Sequence, residues 1–321
     1  ATVPLQPQAA SSELATGTVL RMHTRVLAAL IAASLGWGMA GVGTRYLFGE
    51  GVTTFTVVVV RTLTAPAAVI VVGLSSGTRV DRTAWRDGSI IGVLRIGIAP
   101  IMFISSLQYV SAGVEGVFIT LIPATTAALA AAILHERLDR NQIGGLLIGL
   151  LGTLLIVASG ESGIGGDGGD VRIGALFALC GVIAGASSGV LSRKYAPRHR
   201  TTDLAVPMFV SGSVVAVFAG LVTADIEFSS VTATSWLTLI ALGLGSTFLP
   251  FFATLFASSH TTAARVALTG YVAPVVGVVA GVLLLDEVLT LPIVVGASLA
   301  LAGVVIVGRG RRIRRSARTV S

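Results

Sequence analysis

Cysteine occurs once in the 321 residues, at Cys180, so the chain cannot form an internal disulfide. Histidine occurs four times, at His23, His135, His199 and His260, too scattered to match a metal-ligand spacing. Charged residues make up only 12% of the chain, too few to clothe a soluble domain in water. The sequence contains no Walker A phosphate loop, so the signature of an ATP-driven pump is missing and no cofactor is expected. A membrane enzyme working on lipid-linked substrates would gather Asp, His or Arg in interfacial loops. No such gathering is seen, and a role other than catalysis is expected.

What the chain has instead is apolar length. Hydrophobic residues make up 54% of it, and the mean hydropathy is +0.90. A hydrocarbon core about 30 Å thick is crossed by about 20 helical residues rising about 1.5 Å each. Ten runs of that kind are expected to be helical: 26–47, 53–73, 89–109, 112–134, 142–159, 171–192, 204–223, 234–256, 262–285 and 292–308. They are continuously apolar rather than alternating, which excludes the barrel pattern. The expected fold class is therefore an all-α integral membrane protein, in which helices satisfy the backbone within lipid.

Charge placement orients such a chain, because cytoplasmic loops keep an excess of Lys and Arg. With the N-terminus inside, 17 of the 22 basic residues fall in cytoplasmic segments. Arg45 and Arg172 fall in outer loops, and Arg61, Arg95 and Arg265 lie within helices. Both termini are then cytoplasmic, and a bacterial plasma (inner) membrane is the expected location. Residues 1–25 read as a flexible tail. Residues 309–321 carry RGRRIRRSAR, which directly after a membrane helix reads as an anchor on anionic lipid heads and not as a nucleic-acid patch. The expected partners are membrane lipids and a small-molecule substrate.

The strongest pattern is internal. PATTAALAAAILHERL begins at Pro123 and PVVGVVAGVLLLDEVL at Pro274, and a shift of 151 positions also superposes Glu136 on Glu287, Gly145 on Gly296 and Gly152 on Gly303. Two five-helix repeats follow, 26–159 and 171–308, joined by a Gly-rich spacer at 160–170. Five is odd, so the second repeat enters the membrane from the opposite side. Inverted repeats are the architecture of secondary transporters. Glu136 and Glu287 then lie on opposite sides of the membrane and share a local structural task. Each precedes a turn and a helix that Asp139 and Thr290 are placed to cap, so the carboxylates are expected to favour the dipole of that helix.

The proline-bearing helix followed by ILHERL or LLDEVL resembles the paired domains of EamA-type transporters in the drug/metabolite transporter superfamily. The first helix, SLGWGMAGVGTRYL, and Arg61 in VVVVRTLTAPA are similar to that family as well. His135 and Asp286 depart from it, standing where a glycine is common before the glutamate. The resemblance implies a ten-helix bundle around a central cavity lined mainly by helices one, three, four, six, eight and nine, with five and ten peripheral. It also implies export of amino acids and related small metabolites, with drug, nucleotide-sugar and lipid-linked sugar transport as the alternatives.

A charge buried in a membrane costs about 2.5 to 3.5 kcal/mol even on a lenient scale, so each needs a partner or a wet cavity. Arg61 and Glu115 are expected to face the cavity and to pair. Two readings stand for each: Glu115 as proton carrier or amine contact and Arg61 as substrate-carboxylate contact, or both as a structural salt bridge. Arg95 and Arg265 lie near enough to the cytoplasm to reach lipid heads, although the helix of Arg95 should line the cavity. Trp37, Ser105, Gln108, Tyr109, Thr120, Ser187, Ser188, Thr247, Phe251 and Tyr271 offer aromatic faces and polar groups of the kind that orient a small ligand, and the same residue types also serve as interhelical glue. Pro123, Pro274 and Pro250 are expected to kink their helices. The glycine face of helix five or ten would serve rocking or a homodimer.

Overall fold

The computed structural model describes residues 8–75, 80–135, 138, 140–164, 169–195, 198–229, 231–261, 266 and 269–318. The helices are α1 (Gln8–Gly49), α2 (Thr54–Ser75), α3 (Arg82–Gly92), α4 (Ala99–Ser106), α5 (Ala112–Ile119), α6 (Ile122–Leu134), α7 (Arg140–Ser159), α8 (Val171–Tyr195), α9 (Thr201–Thr223), α10 (Ala233–Gly243), α11 (Leu249–His260), α12 (Thr269–Leu285) and α13 (Leu291–Arg318). A π-turn, Val93–Ile98, joins α3 to α4, and a second, Leu244–Phe248, joins α10 to α11. No strand occurs among the described residues.

Eight helices among the described residues are long and apolar enough to cross a membrane by length and composition. Two further apolar helices, Val272–Leu285 and Leu291–Ile306, are shorter. Several boundaries differ from expectation for local reasons. The third span starts at Arg82 and not near 89, because Asp81 caps it by accepting from the amide of Ala84 at 2.7 Å. That amide, with the Thr83 hydroxyl, holds the Asp81 carboxyl below its ordinary range. Helix α1 begins at Gln8, inside the stretch expected as a tail, and α13 runs on to Arg318.

The prolines act differently from one another. Pro123 follows a break at Thr120 and Leu121 between α5 and α6, where the Thr120 amide is shared between the carbonyls of Gly116 and Val117 and the Leu121 amide reaches back only three residues, to Phe118. Proline has no N–H to continue the ladder, and the break sits where the chain loses it. Pro274 lies within α12 without interrupting it.

Helices pack here through small residues, as lipid offers no hydrophobic reason for apolar helices to associate. A Cβ at Gly152 would stand 2.4 Å from the carbonyl oxygen of Gly296, and one at Gly303 would stand 2.4 Å from that of Gly145. Position numbers rise along α7 as they fall along α13, so these two helices cross antiparallel. The glycine face of α7, a candidate for dimerisation on sequence, is consumed inside the chain.

Other backbone features repeat at the same offset of 151. The π-turns begin at Val93 and Leu244. Asp81 and Thr232 cap their helices by accepting from Ala84 and Ser235. His135 and Asp286 both take left-handed conformations, with φ of 54° and 53°. These last two stand where the resemblance leads one to expect glycine, and left-handed φ is the conformation that glycine adopts at least cost.

The spacer between the halves is partly tied down. The Ser111 amide donates to the Ser162 carbonyl at 2.9 Å and the Val288 amide to the Gly163 carbonyl at 3.1 Å, so residues 162 and 163 bridge the start of α5 to the turn before α13. Glu136 and Asp139 lie outside the described residues, as does Arg265.

Replacing Gly152 by Val should lower the melting temperature of the detergent-solubilised protein, by the roughly 1 to 3 kcal/mol typical of overpacking. Gly144→Ala, at a site with open space around it, should leave it unchanged. Thermal unfolding followed by size-exclusion chromatography measures both.

Candidate functional site

Two charged groups within the bundle, Arg61 and Glu115, lie in each other's field. Arg61, on α2, donates from Nε to the hydroxyl of Thr247 at 2.9 Å, so the second π-turn presents the acceptor that the arginine uses. Glu115, in the first turn of α5, is the charge nearest in effect to Arg61. Their expected salt bridge is not formed: the ion pairs within 4.0 Å among the described residues involve Asp87 instead. Glu115 is 7% exposed and rests against Gly41 of α1, where an added Cβ would lie 3.3 Å from its Oε2. Its carboxylate makes no hydrogen bond among the described residues.

Glu287 has a structural task, in a different place from the one expected. Its Oε1 accepts from the amide of Ala112 at 2.7 Å and its Oε2 from that of Gly113 at 3.2 Å. It therefore caps α5, 174 or more residues earlier in the chain, and not the helix that follows it. A helix N-terminus presents unpaired amides and the positive end of its dipole, which a carboxylate satisfies together. Burial holds the Glu287 carboxyl above its ordinary range, while the two amides and Arg45 pull it down. Thr290, expected to cap α13, instead has a buried hydroxyl without a partner among the described residues.

Arg45, assigned to an outer loop on sequence, lies within α1 and donates from Nη1 to the Leu107 carbonyl at 3.0 Å. Gln108 is exposed, in the turn between α4 and α5, and donates to the hydroxyl of Thr54. These bonds tie together the ends of α1, α2 and α4.

A chain that runs twice through one pattern and holds unbonded charge within its apolar spans has recognisable relatives. The model of the EamA-like transporter family matches residues 24–158 and 172–309. The chain belongs to the EamA-like transporter family. An uncharacterized transporter of Archaeoglobus fulgidus is 24% identical over 86% of this chain and 95% of its own length. A probable amino-acid metabolite efflux pump of Salmonella typhimurium is 29% identical over 60% of this chain, which spans 66% of that relative. A solved crystal structure matches 88% of this chain and 96% of its own, with a TM-score of 0.60 at 20% identity, a likeness of fold alone.

Within this EamA-like chain the remaining sequence-predicted site residues are dispersed. Trp37 is half-buried on α1, and its indole N–H has no partner among the described residues. Ser105 is buried at the end of α4. Thr120 donates its hydroxyl to the Val117 carbonyl at 2.6 Å, beside the break before α6. Phe251 belongs to an aromatic cluster with Phe209 and Phe252, at centroid distances of 5.2 and 5.3 Å, and so packs α11 against α9. Tyr109 stacks on Phe177 at 6.0 Å. Ser188 donates to the Gly185 carbonyl, and Ser187 is half-buried. Tyr271 lies on α12, and its side chain is outside the described set.

Sequence reasoning missed one polar pair. Asp87 is 1% exposed and accepts from Arg86 at 2.9 Å, and it meets His199 Nε2 at 3.0 Å, joining α3 to the turn before α9. The signal was an acid among arginines at the cytoplasmic start of a span, and its partner lies 112 residues away.

Glu287→Ala should lower stability by about 1 to 3 kcal/mol, the cost of leaving buried amides unpaired. Glu115→Gln should leave the melting temperature unchanged or raise it, because an unbonded buried charge carries a desolvation cost. Thermal melts of both variants in one detergent test this contrast.

Proposed function

We propose that this EamA-like chain exports small metabolites of the amino-acid class across a bacterial plasma (inner) membrane by alternating access, with both termini cytoplasmic. The proposed architecture has ten helices in two inverted five-helix repeats, 26–159 and 171–308, with the cargo site between them. The observation that carries this reading is the antiparallel crossing of α7 and α13 through glycines related by the 151-residue offset. Two copies of one element that meet in opposite senses are what an inverted duplication produces, and such a duplication lets one cleft open to either side. The family to which the chain belongs and the efflux-pump relative support the direction and the cargo class.

Glu115 is the proposed proton carrier. A carboxylate that changes protonation during a cycle must be free of fixed partners, and Glu115 makes no hydrogen bond among the described residues while lying close to Arg61 in effect. Arg61 is held by Thr247 and sets the charge beside it.

Efflux from loaded proteoliposomes against a panel of amino acids, nucleotide sugars and cationic drugs tests the cargo. The expected result is export of an amino acid or its derivative, and export restricted to the other classes would overturn the reading. Glu115→Gln should abolish uphill transport driven by a pH gradient while sparing exchange down a cargo gradient. Full pH-driven transport by that variant would remove the carrier role. In a Cys180→Ser background, the single variants Glu50→Cys and Arg200→Cys should be labelled from opposite sides of the membrane by an impermeant maleimide, and labelling of both from one side would remove the proposed topology.

A further inference from the structure

Arg95 differs from Arg45 and Arg61 in having nothing to hold. It stands one residue past the midpoint of the 25-residue span Arg82–Ser106, within the first π-turn. Arg61 has Thr247 and the field of Glu115. Arg45 has the Leu107 carbonyl. Asp87, the acid on the same span, is engaged by His199 and Arg86. Arg95 makes no hydrogen bond or ion pair among the described residues.

Its surroundings say where it points. Residues beside it on the span pack against neighbouring helices: a Cβ at Gly92 would meet Met208, one at Gly212 would meet Ile96, and one at Gly181 would meet Phe103. The Arg95 side chain is exposed at mid-span. A guanidinium turned to hydrocarbon at that depth would carry the cost that intramembrane charges avoid by facing a bundle interior or a wet cavity. Of the two readings the sequence left open for Arg95, lipid heads or the cavity, this position favours the cavity.

Nor does the fold require an arginine there. The second π-turn has the same form and carries Ser246, buried, at the position 151 residues on. The counterparts of Arg61 and Glu115 at that offset are Gly212 and Val266. At these three positions the charge stands in the first half only.

We propose that Arg95 is the residue that binds the cargo's free carboxylate, which deepens the export reading above and rests on it. A guanidinium presents a planar fork matched to two carboxylate oxygens, and a positive charge in a low-dielectric cleft concentrates anions. Arg61 and Arg95 outnumber Glu115 whichever its protonation state, so these three positions together carry a positive charge that suits an anionic group. Cationic drugs meet repulsion at the same point.

Two measurements on the full chain in proteoliposomes test this. First, phenylglyoxal modification of arginines is read residue by residue by mass spectrometry, alone and with N-acetyl-leucine, leucine methyl ester or inorganic phosphate present. Arg95 should be modified, and N-acetyl-leucine should slow its modification while the ester does not. An unmodified Arg95, or equal protection by ester or by phosphate, would overturn the assignment. Second, for whichever carboxylate-bearing panel member the protein exports, Arg95→Gln should raise KM at least about tenfold, with Arg95→Lys falling between the two. An unchanged KM with Arg95→Gln overturns the proposal even if export itself is intact. Export of no panel member by the unaltered protein is a failure of the export reading, and the modification result still decides whether Arg95 binds a carboxylate.

Discussion

Close approach of backbones at glycine is the constraint from which the rest of this structure follows. Between helices in lipid, burying an apolar side chain gains nothing over leaving it in the hydrocarbon, so association rests on packing and on polar contacts. At Gly152, Gly296 and Gly303 the neighbouring carbonyl sits where any side chain would begin. Gly92 and Gly212 bring the third span against α9 in the same way. These contacts set the distances at which every polar group then has to find its partner.

The polar groups divide into those that hold the bundle and those left available. Glu287 closes the start of α5, Arg45 and Gln108 tie helix ends together, and Asp87 with His199 links α3 to the approach to α9. All are near helix ends, where amides and carbonyls lack partners and a side chain can supply one. For three other charges the pattern changes. The Arg61 side chain makes one bond, and the side chains of Glu115 and Arg95 make none among the described residues. Unbonded charge at depth has a cost that structure alone does not offset, and a transporter has a use for groups whose partner is its cargo or a proton.

Membrane character, the helical class and the 151-residue repeat could be read from residue types and spacing, because apolar length and periodic identity are properties of one dimension. Backbone features at the same offset, not used to find it, are the two π-turns, the two caps and the two left-handed residues. Helix ends were less legible. Asp81 starts a span seven residues earlier than hydropathy suggests, because capping is a single hydrogen bond that an average over a window does not register.

Partner choice could not be read at all. The sequence placed Arg61 and Glu115 in the same outer half, but Thr247, 186 residues from Arg61, takes the bond. It assigned Glu287 to a helix dipole, and only the packing chose the dipole of α5 over that of the adjacent α13. It left Arg95 between lipid heads and the cavity, and only the packing showed its side chain exposed at mid-span with no bond among the described residues. The chain by itself determined what would lie in lipid and what would recur, since both depend on residue type along one line. The tertiary structure alone decided which donor meets which acceptor, since a hydrogen bond acts over about 3 Å and distant segments come that close only when helices pack.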